Sequence, residues 1–278
     1  MSALTPSVMK ETIQVLADLS ALMFVVSTML SLGLSLTLPQ ILHPLKDTGL
    51  VLRVLLANFV LVPLVAYLLK TVIPLDPSLA IGLILLATVA GAPILPKLAE
   101  VSKTNLPLSV GLMVLLMVVT VFYLPVVLPL LLPGVQVSPV EIARSLIILM
   151  LIPLAISLFV YARYEAIADL LQPYMAQTSS TSLVMLFVLM LIVNLQNLLG
   201  TMGSGAILAT LLLIAASLGI GYFVGGRPRD VQWVSALGTA QRNFAAAMVV
   251  ATENFDDDPK VLTMVLVGSL LMLVILMP

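Results

Sequence analysis

Two apolar segments of the chain are each interrupted near the middle, and each interruption carries a single cation. The first break spans residues 91–97, with the sequence GAPILPK, and the second spans residues 238–243, with the sequence GTAQRN. A break exposes backbone N–H and C=O groups, which hydrocarbon cannot satisfy, so it survives only where protein, water or a ligand supplies partners. Interrupted helices at corresponding places in two halves of a chain indicate the binding site of a secondary transporter.

The second break contains the groups best suited to hold an anion. Arg242 adds a fixed charge with a planar fork that suits carboxylate or sulfonate, and a half-helix N-terminus at a break is also electropositive. The alternative is that Arg242 neutralises a carboxylate or a helix C-terminus, although Glu100 and Glu253 both lie near helix ends. We predict that substrate contacts the polar residues of this break: Thr239, Gln241, Arg242 and Asn243.

The first break leaves two interpretations open. Pro93 and Pro96 cannot both sit in a regular helix without losing hydrogen bonds, and Lys97 follows directly. Lys97 either contacts substrate or a coupling ion, or forms an i,i+3 pair with Glu100 that satisfies both charges. A desolvated lysine readily loses its proton, so proton coupling is chemically open. Together with Gly91 and Gly238, the two prolines define the predicted break positions.

Amides inside apolar segments are further candidate ligands. Asn58 and Asn194 lie at membrane depth, and we include both among the predicted substrate-binding residues. The alternative is that these amides form hydrogen bonds between helices, which is the commoner role of isolated amides in membranes.

Composition places the chain among all-α polytopic membrane proteins. Of its 278 residues 61% are apolar and 9% charged, with a mean hydropathy of +1.22, whereas soluble proteins carry about 25% charged residues. The net charge of −1 argues against a nucleic-acid partner. The lack of cysteines excludes disulfides and thiolate metal sites, and His43 is the one histidine. No convergent nucleophile, acid or metal set is visible, so we expect neither an enzyme nor a cofactor.

Runs of roughly 20 apolar residues predict about nine transmembrane helices. Turn-forming prolines and glycines separate them, and a more polar stretch, 162–177, is expected to lie at the interface as a link. The predicted helices are 15–38, 50–70, 77–101, 106–132, 140–161, 179–199, 204–224, 231–254 and 261–277.

Loop cations give a weak bias for orientation in a plasma (inner) membrane. Six loop cations fall on one side and four on the other, which predicts the N-terminus outside and the C-terminus inside. The six are Lys46, Arg53, Lys103, Arg163, Arg227 and Arg229. The four are Lys10, Lys70, Arg144 and Lys260.

In the order and spacing of its motifs, the chain resembles the bile acid:sodium symporter family, within the larger group of bile-acid, arsenite and auxin carriers. The likeness extends over nearly the whole chain. The segments that carry it are 33–37 (GLSLT), Asn58-Phe59 followed by Pro63, 105–110 (NLPLSV), and 238–247 followed by Asn254-Phe255.

This resemblance implies an inverted repeat folded into two bundles, with substrate in the cleft between them and alternating access by their relative movement. The panel bundle would comprise 15–38 and 140–199. The core bundle would comprise 46–132 and 204–278, with unwound crossing helices 77–101 and 231–254.

The sequence departs from the family at its sodium sites. Where sodium-binding relatives have a hydroxyl–amide pair, this chain has Leu95 and Pro96, and Gly238 stands where the relatives have an acidic residue. Arg242 replaces a glutamine ligand, and Met113 replaces a further hydroxyl.

Only two of the family's sodium-ligand positions keep a suitable oxygen. Asn58 and Ser109 remain as weak candidate ligands, so sodium coupling is uncertain. We therefore hypothesise that Lys97 and Arg242 supply permanently the positive charge that sodium supplies in relatives.

The sequence as a whole predicts a secondary transporter of a small organic anion in a lipid bilayer, independent of the usual sodium sites. Two alternatives stay open: sodium symport through rearranged ligands, and a non-transporting receptor with the same fold. Substrate identity, direction of transport and oligomeric state are not predicted.

Overall fold

In the computed structural model the described residues are 6–132, 138–200, 203–255 and 257–277, and within them every regular element is helical. Side chains are not described for residues 6–11, 14, 44, 190, 191 and 193–199. The prediction of an all-α protein is thereby confirmed. A short helix, Leu38–Leu42, and a 3₁₀ turn, His43–Lys46, join the first two main helices. The eleven main helices are α1 (Pro6–Gly33), α2 (Thr48–Val72), α3 (Pro77–Thr88), α4 (Leu95–Val101), α5 (Leu106–Leu131), α6 (Pro139–Arg163), α7 (Glu165–Gly200), α8 (Ala206–Val224), α9 (Arg229–Ala240), α10 (Phe244–Asn254) and α11 (Pro259–Leu276).

Six of these helices are long and apolar enough to cross a membrane, judged within the described residues. They are α1 (over Val15–Gly33), α2, α5, α6, α8 and α11. Helix α3 is apolar but shorter, and α7 runs for 36 residues, or about 54 Å at 1.5 Å per residue. The predicted start of the sixth helix, at residue 179, was wrong, because α7 begins at Glu165 and includes most of the stretch 162–177.

Side-chain caps fix where several of the helices begin. The carboxylate of Asp76 accepts the Ser78 N–H at the start of α3, and the Asn105 amide oxygen accepts the Leu108 N–H at the start of α5. Proline occupies the first turn of both helices, where its missing N–H costs no helical hydrogen bond. Lys260 donates to Asp76 at 2.6 Å, which holds the pKa of that carboxyl below its usual range.

A π-turn in α2 places Asn58 beside the two breaks. Residues Ala57–Leu61 form this turn just before Pro63. Proline has no N–H to donate to the carbonyl four residues earlier, so the regular helical hydrogen bond is missing there. The carbonyl of Phe59, four residues before the proline, accepts the Tyr123 hydroxyl from α5 at 2.6 Å instead. Asn58 lies inside the turn and is fully buried.

Both predicted breaks exist but are shorter than expected. The first covers residues 89–94, between α3 and α4, and the second covers 241–243, between α9 and α10. Pro96 and Lys97 were predicted to lie in the first break, but they lie in the first turn of α4, where proline is well tolerated. Gly238 lies within α9 rather than in the second break, and it packs against the Leu95 side chain.

The helices pack in two groups of contacts. Helix α1 lies mainly against α6 and α7, while α3 packs on α2 and α11, and α8 packs on α2, α9 and α11. Helix α6 also contacts α5 and α10, so the groups share an interface. This arrangement leaves the two breaks in the middle of the molecule, between the groups.

Gly91 in the first break has no room for a side chain. Its φ is +80°, and an added Cβ would lie 2.2 Å from the backbone nitrogen of Met117 on α5. Both the backbone conformation and the close approach therefore require glycine.

We expect Gly91→Ala to lower the free energy of unfolding by more than about 2 kcal/mol, because alanine is strained at positive φ and would push α5 away. Gly219→Ala is the matched control, since an added Cβ there meets nothing within 4 Å and alanine favours a helix interior by about 1 kcal/mol. Melting temperatures in one detergent compare the two variants. Equal melting temperatures would contradict the role given to Gly91.

Candidate functional site

The two breaks lie directly against each other. The Asn243 N–H donates to the Val89 carbonyl at 3.1 Å, which joins the second break to the first. The Thr120 hydroxyl on α5 accepts from the Ala90 N–H at 3.0 Å and donates to the Ala90 carbonyl at 3.1 Å. Backbone groups that the breaks release from their helices thus find partners inside the protein, as membrane depth requires.

The guanidinium of Arg242 fills the crossing point. Its side chain is 1% exposed, and its Nε and Nη2 donate to the carbonyls of Leu86 at 3.1 Å and Ala87 at 2.6 Å, in the last turn of α3. Its Nη1 donates to the Thr239 carbonyl at 3.0 Å, in the last turn of α9, and to Asn58 Oδ1 at 2.8 Å. One cation therefore binds the carbonyl ends of two half-helices, where the helix dipoles are negative.

Asn58 holds Arg242 in this position. Its amide nitrogen donates to the Val54 carbonyl at 3.0 Å and to the Thr239 hydroxyl at 3.1 Å, which leaves the amide oxygen directed at the cation. Both donors and the oxygen of Asn58 are thus bound to protein. The π-turn in α2 is what places this amide at the crossing.

Other predicted site residues have different local roles. The Ser109 hydroxyl donates to the Leu106 carbonyl at 2.6 Å in its own helix, and Asn243 caps α10 by accepting the Ala246 N–H at 3.1 Å. Lys97 pairs with Glu100 at 2.7 Å, with both side chains largely exposed, as the second interpretation of the first break predicted. Asn194 lies outside the residues whose side chains are described.

A cavity of about 540 Å³ adjoins the crossing, within the size range of small-molecule sites. One wall comes from α1 and α7, and the other from α4, α5, α10, α11 and the two breaks. Of the predicted residues, those that line it are Pro93, Pro96, Lys97, Gln241 and Arg242. Gly91, Gly238, Asn58, Thr239, Asn243 and Ser109 are not among its lining residues.

The wall formed by α1 and α7 contains site residues that sequence reasoning missed. Thr28 and Ser179 share a hydrogen bond of 2.6 Å, and the Gln172 amide donates to the Ser31 hydroxyl at 3.3 Å. On each helix the lining residues recur every three or four positions, which is one helical face. A polar, helically spaced face inside an apolar segment was the available signal.

Three phenylalanines form an aromatic part of the cavity lining. Phe244, at the start of α10, stacks on Phe187 of α7 with ring centroids 5.2 Å apart and lies 6.0 Å from Phe24 of α1. Along α1, Phe24 is about 10 Å from Ser31, at 1.5 Å per residue. The cavity therefore has an aromatic end and an end that carries the exposed Lys97–Glu100 pair.

Comparison with known proteins identifies a family for this chain. The sequence model of the Sodium Bile acid symporter family matches residues 22–201, which include the first break, the last 12 residues of α1 and all of α7. No curated protein matches the chain.

We expect Arg242→Gln to lower the free energy of unfolding by more than about 3 kcal/mol, because several buried carbonyls lose a charged donor. Arg242→Lys should recover only part of the loss, since an ammonium cannot reach the same acceptors as a fork. Arg144→Gln, at an exposed arginine of α6, is the control. Thermal unfolding in potassium chloride without sodium measures all three, and a wild-type melting temperature for Arg242→Gln would refute the structural role.

Proposed function

The chain belongs to the sodium bile acid symporter family, and from that premise we propose that it is a secondary transporter of a small organic anion. Members of this family are membrane transporters, and the six apolar helices agree with a multi-pass membrane protein. The cavity beside the crossing is the proposed substrate site. Its size and its mixture of aromatic, hydroxyl and amide lining suit a small amphipathic molecule.

Two bundles that move against each other are the proposed machinery. Helices α1, α6 and α7 would form the panel bundle and the other main helices the core, with the cavity between α1 and α7 on one side and the breaks on the other. Among the described residues, each half of the core has the order helix, broken pair, helix, which supports an inverted repeat. The six long apolar helices, the two broken pairs and α7 would then each cross the membrane once, which gives a proposed count of nine crossings.

The observation that carries the mechanism is the position of Arg242. The carbonyls of Leu86, Ala87 and Thr239 and the amide oxygen of Asn58 converge on its guanidinium, at the point where two half-helices end. Such a set of oxygens is what a small hard cation would seek. We propose that the tethered cation of Arg242 replaces sodium there, so that the crossing is stable without a bound ion.

The same charge favours an anionic substrate. Neither of the two ion pairs found among the described residues includes Arg242, whose four partners there are neutral oxygens. Its positive charge is thus not balanced by a carboxylate within hydrogen-bonding distance. An anion in the adjacent cavity is attracted by that charge. The attraction is stronger than it would be in water because the surroundings are apolar.

Lys97 marks the proposed entrance on the cytoplasmic side. Its end of the molecule also carries Arg163 and Lys103, and an excess of cations marks the inner face of a membrane protein. With that orientation the N-terminus is outside, the C-terminus inside and the cavity open to the cytoplasm. The paired Lys97 can attract an anion to the entrance, while the negative charge of Glu100 limits how strongly that anion is held.

We expect uptake of an organic anion into proteoliposomes to be unchanged when potassium replaces sodium, because Arg242 occupies the oxygen cluster. Labelled cholate is a suitable probe, liposomes without protein are the control, and a proton ionophore tests coupling to protons. Saturable, steep dependence on sodium would overturn the proposed mechanism and favour sodium symport. Binding of the anion without any flux would overturn the transport function in favour of a receptor.

We also expect Arg242→Gln to acquire a response to sodium that the wild-type protein lacks. The substitution frees the four oxygens and adds an amide oxygen, so that sodium can bind where the guanidinium lay. At a sodium concentration one hundred times its dissociation constant, linkage would restore about 2.7 kcal/mol. Melting temperatures in sodium and potassium chloride test this, with Arg144→Gln as control. Equal melting temperatures of Arg242→Gln in the two salts would show that the cluster does not hold a cation.

A further inference from the structure

We propose that the cavity selects anions that also carry a hydroxyl or amide group, and that Gln241 and Ser269 recognise that group. This inference rests on the proposed function of the cavity and specifies its substrate class. Gln241 lies in the second break and Ser269 on α11, and both line the cavity. They are 6% and 5% exposed, and neither Gln241 Oε1 nor Ser269 Oγ has a hydrogen-bond partner.

The free hydroxyl of Ser269 contrasts with other buried hydroxyls on the apolar helices. Thr88, Ser157 and Thr210 each donate to the carbonyl four residues earlier in the same helix, which satisfies the hydroxyl locally. The Ser269 hydroxyl has no such bond. A buried polar group without a partner destabilises the protein. A molecule in the cavity that forms a hydrogen bond with the Ser269 hydroxyl would remove that cost.

Gln241 has the same feature in the second break. Its backbone N–H donates to the Leu237 carbonyl and so ends α9, but the amide oxygen has no donor. Its neighbour Arg242 uses its guanidinium to bind both half-helices. Gln241 is therefore the residue of the second break whose side chain is buried, lines the cavity and retains an unused acceptor.

An unpartnered polar atom is not by itself a sign of a site. Ser217, Ser235, Asn243 and Asn254 also have one, but these residues do not line the cavity. Gln241 and Ser269 differ because they come from separate elements and line one cavity of ligand size. Because both unpartnered groups line the same cavity, we infer that they recognise a molecule bound in it.

The opposite wall supplies further hydrogen-bonding groups. Ser31 and Gln172 are joined by a long bond of 3.3 Å, and Ser180, whose hydroxyl donates to the Ala176 carbonyl, also lines the cavity. A substrate with hydroxyl or amide groups on its body can therefore be bound from both walls. A site of this kind discriminates strongly against an analogue that lacks the polar group, since its own buried groups then stay unpaired.

The inference predicts which of two matched anions binds. Thermal-shift and binding measurements would use pairs that share a carbon skeleton, such as cholate with 5β-cholanate and gluconate with hexanoate. We expect Ser269→Ala and Gln241→Met each to weaken binding of the hydroxylated member about three- to tenfold, the loss of one neutral hydrogen bond. Binding of the plain member should not change.

Ser217→Ala is the matched control, because this serine of α8 is buried and unpartnered but lies outside the cavity lining. Ser217→Ala should change neither the affinity for the hydroxylated anion nor the affinity for the plain one. Ser269→Ala should melt no lower than wild type, which separates an effect on recognition from an effect on folding. Equal losses for both members of a pair, or no loss for either, would overturn the inference and leave the organic-anion proposal intact. If no anion of either kind bound, the proposed function would fail as well.

Discussion

The architecture depends on the hydrogen bonds that Arg242 donates to the ends of two interrupted helices. Unwinding a helix at membrane depth leaves carbonyls that lipid cannot satisfy, and here one guanidinium binds Leu86 and Ala87 of α3 and Thr239 of α9. The cation gains from both helix dipoles, and the carbonyls gain a charged donor. Each of the two costly features, a buried charge and a broken helix, is stabilised by the other.

This contact also connects structure to function. A sodium ion at such a crossing can leave, whereas the arginine cannot, and on this ground we propose that the crossing is stable whatever ions are outside. The cavity beside it has a charged, exposed end at Lys97 and an aromatic end at Phe24, Phe187 and Phe244. A substrate that combines an anionic group, an apolar body and a hydrogen-bonding group would match these regions in turn.

Several elements were predictable because their signals are local. Apolar runs identified the long helices, and prolines and glycines located both breaks, although the structure shortens each one. The errors have simple causes: Pro96 is tolerated in a first turn, so α4 begins before it, and the polar residues after Glu165 remain helical because α7 continues from them. The resemblance to the family is confirmed by the match over residues 22–201, while the sodium independence inferred from Leu95, Pro96 and Gly238 remains a prediction.

The sequence by itself determined an all-helical membrane chain with two breaks and a cation in or near each, since composition and neighbouring residues decide those properties. Only the tertiary structure decided what the cations do: Lys97 pairs with Glu100 one turn away, whereas Arg242 reaches Leu86 and Asn58 across 156 and 184 positions. It also decided that Ser269 lines the same cavity as Gln241. Such partners are set by the way distant helices pack, and no local pattern of residues encodes that packing.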